Sequence, residues 1–185
     1  MKKRILGFAT ILAALLGPAA TSAFASLPPS ERITFNKDKL ALSQTACASN
    51  PTGSAVRVNI VGLRNRNGLI RVQLYNGTAD EFLEKGRWLV RMQGPAAASG
   101  IVSTCMPLQK VGASYGIVVR HDGNGNGKSD LSDDGYGFSN NPKLGLAKPK
   151  VDKVVFTARP GVSEITVVMN YLSGLSMKPI KTEQD

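Results

Sequence analysis

The chain has 185 residues, and its 23 lysines and arginines outnumber 13 acidic residues to give a formal net charge of +10. This length suits one main domain. The basic residues are scattered, without a run and without interleaved aromatic residues, so nucleic acid is not an expected partner. A basic surface of this kind is better suited to an anionic polymer or lipid of the cell envelope.

The N-terminus has the pattern of a secretory signal. Basic residues 2–4 precede an apolar run from Ile5 to Leu16, and residues 23–25 supply the small-x-small pattern that signal peptidase recognises. The apolar run is too short to cross a bilayer as a helix. We therefore expect residues 1–25 to be a cleaved signal peptide. The protein is then exported, either to the periplasm or out of the cell, and keeps no transmembrane segment.

The two cysteines, Cys47 and Cys105, both lie in the part expected to be exported. An even pair in an oxidising compartment predicts one disulfide bond. The bond would tether the N-terminal segment, residues 26–53, to the middle of the domain.

Residues 54–172 have the pattern of successive β-strands. Apolar residues alternate with polar ones in residues 56–60 and again in residues 70–74, and the polar turn 64–68 between them predicts a hairpin with one buried face. In the next segment Trp88, Val90 and Met92 share this period, which favours core packing for Trp88 over a platform for carbohydrate stacking.

Further strands are expected at residues 101–106, 115–120, 153–158 and 164–171, and only residues 80–85 look helical, for about one turn. About seven strands with short connections predict an all-β fold, an antiparallel β-sandwich over residues 54–172. The polar tail, residues 173–185, is expected to be disordered.

A calcium-loop pattern follows the strand at residues 115–120. Oxygen-bearing side chains and a sharp-turn glycine occupy the positions of a calcium-binding loop, with Lys128 contributing only its backbone oxygen. The predicted ligands are Asp122, Asn124, Asn126, Lys128, Asp130 and Asp133. Strand-like and glycine-rich segments replace the flanking helices of an EF-hand, so we expect a structural calcium loop within a β-domain. The alternative is a metal-free turn in which the same side chains bond to their own backbone.

Two sequence pieces carry a family resemblance. The pieces are H-D-x-N-x-N-G from His121 and G-Y-G-F-S-N-N from Gly135. They resemble the bacterial exported family of domains of unknown function numbered 2141, over about residues 54–171. The resemblance implies an immunoglobulin-like or prealbumin-like sandwich and no established activity. The chain departs from the family pattern in having Gly123 where an acid is usual and a shorter insert before Gly135, so either Asp133 or Asp134 could close the metal site.

Catalysis is not expected from this sequence. His121 is the only histidine, and neighbouring residues on a strand point to opposite faces, which separates it from Asp122. No nucleophile elbow or cysteine–histidine pattern is present. Tyr136 and Phe138 could contact a ligand beside the loop, although packing against the sandwich is the favoured interpretation. The predicted function is a calcium-stabilised structural or binding module of the envelope, with an unknown envelope ligand or protein as partner. The alternatives are a metal-free glycan- or protein-binding domain and, more distantly, a hydrolase that uses the Asp-rich loop.

Overall fold

Two β-sheets pack face to face in the computed structural model, which describes residues 33–34, 44–48 and 53–180. The strands are β1 (Ile33–Thr34), β2 (Ser54–Val61), β3 (Leu69–Asn76), β4 (Val90–Pro95), β5 (Val102–Leu108), β6 (Ser114–Asp122), β7 (Gly135–Phe138), β8 (Phe156–Thr157), β9 (Gly161–Val168), β10 (Asn170–Ser173) and β11 (Ser176–Pro179). The helices are α1 (Gln44–Ala48) and a 3₁₀ helix (Val151–Lys153). This architecture confirms the predicted all-β sandwich. The predicted signal peptide and most of residues 26–53 lie outside the described residues.

The larger sheet has eight strands in the order β1-β4-β3-β6-β7-β10-β11, with β8 beside the first residues of β6. The smaller sheet has the order β5-β2-β9. Most neighbours are antiparallel, but β1 runs parallel to β4 and β2 runs parallel to β9. The sandwich is therefore antiparallel except at these two strand pairs, which are parallel.

The predicted hairpin between β2 and β3 is wrong. These strands belong to different sheets, because β2 pairs with β5 and β9 while β3 pairs with β4 and β6. Period-two alternation shows that a strand has one buried face, and strands on either side of a sandwich satisfy that pattern equally well. The polar connection 62–68 thus crosses between the two sheets.

Apolar side chains from both sheets fill the space between them. They include Val56, Val58, Ile60, Ile70, Val72, Leu74, Met92, Met106, Ile117, Val119, Val167 and Met169, each at most 2% exposed. Burial of side chains of this size stabilises a fold by about 1.5–3 kcal/mol each before the entropy of ordering is subtracted. A second apolar cluster, which includes Tyr75, Phe82, Val118 and Phe138, covers part of the outward face of the larger sheet.

The chain after residue 173 departs from the predicted disorder. Residues 176–179 form β11, which pairs with β10 through a tight turn at Gly174, where φ is +62°. Residues 181–185 lie outside the described residues. Two local predictions are also wrong. Residues 80–85 form turns and not a helix. Of the predicted strand 153–158, only residues 156–157 form a strand, which follows the 3₁₀ helix.

Cys47 and Cys105 form the predicted disulfide, with their Cα atoms 5.8 Å apart. Cys47 lies in α1 and the buried Cys105 lies in β5, so the bond fastens α1 to the smaller sheet. A bond that closes 58 residues of chain stabilises the fold by about 4 kcal/mol on the chain-entropy description.

Candidate functional site

The predicted calcium loop leaves the larger sheet at the end of β6 and returns to it at the start of β7. His121 is paired with Gly135 across these two neighbouring strands, so residues 122–134 form one long hairpin connection. Asp122 is buried, whereas Asn124, Asn126, Lys128 and Asp133 are exposed. The loop thus projects from the end of the sheet with its first carboxylate anchored inside.

Side chains of the loop fold its own backbone. Oδ2 of Asp122 accepts a hydrogen bond from the backbone N–H of Gly127 at 2.9 Å, and Oδ1 of Asn124 accepts one from Asn126 at 3.1 Å. Oδ1 of Asn126 accepts from the N–H of Lys128 at 2.7 Å. Gly127 has a φ of +76°, which glycine adopts at little cost, and the chain turns sharply there.

Four of the predicted ligands come together within this loop. Nδ2 of Asn124 lies 3.5 Å from Oδ2 of Asp130 and 3.4 Å from Oδ2 of Asp133, and Nδ2 of Asn126 lies 3.2 Å from Oδ2 of Asp130. The hydrogen bond from the Asp133 backbone N–H is the main cause that lowers the pKa of Asp130. Asp130 therefore favours its charged form, which is the form a cation requires.

Carboxylates alone do not make a metal site in this loop. Within the described ranges, no three histidine, cysteine or acidic side chains are grouped closely enough to hold a metal ion. A calcium ion takes six to eight oxygen ligands, and amide and backbone carbonyl oxygens serve as well as carboxylates. A site here would therefore depend on the asparagine oxygens and the backbone carbonyl of Lys128 as much as on the aspartates.

A buried ion cluster, Arg120–Asp122–Asp134, lies beneath the loop. Nη2 of Arg120 is 3.0 Å from Oδ2 of Asp122, and Nε of Arg120 is 3.7 Å from Oδ2 of Asp134. All three side chains are at most 9% exposed. Sequence reasoning missed Arg120. The available signal was a charged residue directly after the apolar run 115–119 of β6, on the same face of the strand as Asp122.

The two late carboxylates have different surroundings. Asp133 is exposed beside Asn124 and Asp130, whereas Asp134 is fully buried and accepts a hydrogen bond from the Asp130 N–H at 3.3 Å. Burial raises the pKa of Asp134, and the Asp130 hydrogen bond and the charge of Arg120 oppose that rise. Of the two alternatives, Asp133 is the carboxylate that lies with the other predicted ligands.

Two buried oxygens of the cluster lack a hydrogen-bond donor among the described residues: Oδ1 of Asp122 and Oδ1 of Asp134. Buried polar atoms are nearly always paired, so each exception requires a specific explanation, such as local strain, a chemical role or the binding of an ion. Asp122 occupies the first position of the predicted calcium loop and is 1% exposed. Its Oδ1 is thus a buried acceptor with capacity for a cation.

Tyr136 and Phe138 have different exposures. The half-buried Tyr136 places its hydroxyl 2.6 Å from Oγ of Ser129 in the loop, and burial raises its pKa. Phe138 is 6% exposed and packs against Phe82, with ring centroids 6.5 Å apart. Of the two predicted ligand contacts, Tyr136 is therefore the more accessible, and Phe138 belongs to the second apolar cluster.

Residues 139–141, directly after Phe138, connect the larger sheet to residue 155 and to β9 through side-chain hydrogen bonds. Oγ of Ser139 accepts a hydrogen bond from the N–H of Ile117 at 3.0 Å. Nδ2 of Asn140 donates to the carbonyl of Val155, and the Asn141 amide bonds to the backbone at two positions of β9. Asn140 and Asn141 both have positive φ, a conformation that asparagine tolerates better than most residues. The S-N-N piece is therefore a structural connector between the sheets.

Residues 58–166 match a family model described as "Uncharacterized protein conserved in bacteria (DUF2141)". The chain belongs to this family. The match runs from β2 into β9 and includes the whole 122–134 loop, in agreement with the resemblance found in the sequence. No curated protein and no solved structure matches the chain.

The single histidine of this DUF2141 domain is fully buried. Its Nε2 lies 2.8 Å from the carbonyl oxygen of Asn67, and its Nδ1 lies 2.6 Å from the hydroxyl of Tyr171. Because a carbonyl only accepts, the geometry requires Nε2–H to donate to Asn67 and lets Nδ1 accept from Tyr171. Both ring nitrogens of His121 are therefore committed to the interior of the DUF2141 fold.

The described part of the DUF2141 chain contains no helix long and apolar enough to cross a membrane.

Proposed function

We propose that this protein is an exported β-sandwich module of the bacterial envelope, in which calcium bound by residues 122–133 orders the loop. The module acts by structure or binding and not by catalysis. The buried position of His121, with both nitrogens in hydrogen bonds, supports the non-catalytic part of the proposal. The Cys47–Cys105 disulfide supports export, because such bonds persist in oxidising compartments.

The observation that carries the calcium proposal is Oδ1 of Asp122, a buried oxygen to which no described residue donates a hydrogen bond. A buried carboxylate oxygen without a donor costs about 1–3 kcal/mol or more. A calcium ion at the start of the loop would remove that cost. Asn124 and Asn126 already lie beside Asp130 and Asp133, but through their amide nitrogens. Binding would therefore require both amides to turn their oxygens, which now accept backbone hydrogen bonds, towards the ion, and would require the loop to close around it.

The charge of the loop sets the expected affinity. Asp122, Asp130 and Asp133 carry the negative charge of the loop, although they are not grouped around one point before an ion binds, and the nearby Arg120 offsets part of that charge. We expect a dissociation constant on the order of 10⁻⁶ to 10⁻³ M, in the range of calcium sensors and extracellular modules. Such a site would be filled where calcium is plentiful, as it is outside the cytoplasm.

A metal-free loop is the second candidate, and a specific observation favours it. Asn124, Asn126 and Asp130 each accept a hydrogen bond from a backbone N–H two or three residues later. Arg120 already supplies a cation to Oδ2 of Asp122. In this alternative the loop is a self-satisfied turn that presents Tyr136 and its neighbours to a glycan or protein.

Thermal unfolding of the oxidised protein, without its signal peptide, separates the candidates. With free calcium at about a hundred times the dissociation constant, binding stabilises the native state by about 2.7 kcal/mol. For a chain of this size that corresponds to a rise in Tm of about 5–10 °C relative to excess chelator. Asp133→Ala should abolish most of the rise.

The matched control is Asp152→Ala, which removes an exposed carboxylate far from the loop in sequence. It should keep the full calcium-dependent rise in Tm. Magnesium at the same concentration should give a smaller shift, because Mg²⁺ demands a tighter octahedral site. Equal Tm values with calcium and with chelator would rule out the calcium proposal and leave the metal-free loop.

A further inference from the structure

The outward face of the larger sheet carries a group of arginine and glutamine side chains. Arg71 and Gln73 project from β3, and Arg91 and Gln93 project from the neighbouring β4. All four are half-buried, while the residues between them on each strand are buried in the core. We call these four residues the arginine–glutamine face.

The two residue types alternate both along and across the strands of this face. Arg71 lies opposite Gln93, and Gln73 lies opposite Arg91. On the other side of β3, Arg71 lies directly opposite Arg120 of β6. Two like charges opposite each other destabilise a sheet, so folding alone does not favour this arrangement.

Arg71 and Arg91 have no acidic partner among the described residues. The nearby carboxylates, Asp122 and Asp134, are both within 4 Å of Arg120. Burial lowers the pKa of Arg71, the charges of Arg120 and Arg91 lower it further, and the charges of Asp122 and Asp134 oppose this. Because those two carboxylates are paired with Arg120, the arginine–glutamine face holds positive charge without an acidic partner of its own in the described part of the protein.

Neutral neighbours hold both guanidinium groups in position. Nε of Arg71 donates to Oε1 of Gln93 at 2.6 Å, and the guanidinium of Arg91 stacks on the ring of Trp88 at 3.7 Å from its centroid. Nε of Arg91 is buried and has no hydrogen-bond acceptor among the described residues. Pre-positioned guanidinium groups lose less entropy when they bind an anion.

We propose that the arginine–glutamine face binds an acidic polysaccharide, with Arg71 and Arg91 receiving sugar carboxylates and Gln73 and Gln93 bonding to sugar hydroxyls. The planar guanidinium matches a carboxylate through two parallel hydrogen bonds. The alternation of charged and amide groups matches a polymer in which carboxylates and hydroxyls alternate. The four side chains are half-buried on the outward side of two neighbouring strands, so each keeps an accessible part along which an extended chain can lie.

The surroundings of the face favour a polysaccharide over a lipid surface. Membrane association combines basic residues with apolar side chains that insert between lipids. The exposed large apolar residues of the described chain are Ile101, Val111, Leu131, Leu146, Val162 and Leu175, and none lies on β3, β4 or β6. The inference rests on the proposed function only for the envelope location, and it does not require calcium.

The test is calorimetric titration of the oxidised protein with two probes, tetragalacturonate and an oligomannuronate of equal length, in excess chelator and moderate salt. The fully methyl-esterified tetragalacturonate is the matched neutral ligand. Each charge-assisted pair contributes about 1.5–3 kcal/mol, so Arg71→Gln and Arg91→Gln should each weaken binding about 10- to 100-fold. The ester should bind at least about tenfold more weakly than the acid.

Arg159→Gln is the control variant, since it removes the same charge from an exposed position outside the face. It should leave affinity within about twofold, and all three variants should keep their unfolding transition. Absence of binding to both acidic probes, equal binding of the ester, or equal loss in Arg159→Gln would overturn the proposal. Stronger binding to phosphatidylglycerol vesicles than to either probe would overturn it in favour of lipid. Because chelator is present throughout, these outcomes are independent of the calcium-dependent Tm.

Discussion

The two faces of β6 differ in how completely their polar side chains are hydrogen-bonded. Ile117, Val119 and His121 point between the sheets, where apolar groups pack together and both nitrogens of His121 are hydrogen-bonded. Arg120 and Asp122 point outward, where two buried carboxylate oxygens of the ion cluster lack a donor from any residue that the structure describes. The inner face is explained by folding alone. The outer face combines an ion cluster that contributes to folding with acceptors and charges that the described residues do not pair, and there we place both proposed sites.

The largest expected effect comes from breaking the ion cluster. Arg120→Met leaves the carboxylates of Asp122 and Asp134 buried without a cation, which should lower the free energy of unfolding by about 3–5 kcal/mol. Urea unfolding at neutral pH in excess chelator measures it. Arg120→Met combined with Asp122→Asn and Asp134→Asn should recover most of the loss. A loss below about 1 kcal/mol in the single variant would contradict a buried ion cluster.

The hydrogen bonds of the inner face give the next largest effect. His121→Phe keeps an aromatic ring but removes the partners of the Asn67 carbonyl and the Tyr171 hydroxyl. A buried group left unpaired costs about 1–3 kcal/mol, and we expect a total loss in this range because Tyr171 still accepts from the Arg64 N–H. Chemical unfolding checks the value. A variant as stable as the parent would show that these bonds contribute no net stability.

Removing one methylene from the inner face should have a moderate effect. Ile117→Val removes fully buried volume and should cost about 0.5–1.5 kcal/mol. Gln73→Ala, on the outward face of the neighbouring strand β3, should change stability by less than about 0.5 kcal/mol. Paired urea titrations compare the two variants. If Gln73→Ala were the more damaging, the polar residues outside the ion cluster would also be folding determinants, and the proposed contrast with the inner face would fail.

The smallest effect concerns alkaline pH. Burial raises the pKa of Tyr171 above its ordinary value near 10. From about pH 10 upward the unfolded chain loses this proton before the native state does, so the free energy of unfolding falls as pH rises towards the native pKa. One tyrosine contributes at most about 1.4 kcal/mol per pH unit.

Stability measured from pH 8 to pH 11 in the parent and in Tyr171→Phe tests this expectation. The comparison uses the slopes, because the substitution also removes a partner of His121. Tyr115 and Tyr75 also have pKa values raised by burial, so the variant should keep part of the decline. Identical slopes in the two proteins would contradict the raised pKa of Tyr171.

Sequence reasoning located the buried residues better than the pairing of the strands. Alternation identified Val56, Val58 and Ile60 as one buried face, and all three are at most 2% exposed. The same pattern led to the wrong hairpin, because a pairing partner depends on where the connection 62–68 takes the chain. The predicted ligand side chains lie in one loop, where local hydrogen bonds two to five residues apart follow from residue order, and their role in binding calcium stays a prediction.

The sequence by itself determined the all-β class, the disulfide pair, the family and the chain segment that forms the projecting loop. These follow from local periodicity, from a count of two cysteines and from short motifs. Only the tertiary structure decided that Arg120 lies between Asp122 and Asp134, and that Arg71 and Arg91 share a face with Gln73 and Gln93. The physical reason is that strand register brings together residues far apart in the chain, and whether a charge is neutralised depends on those non-local neighbours.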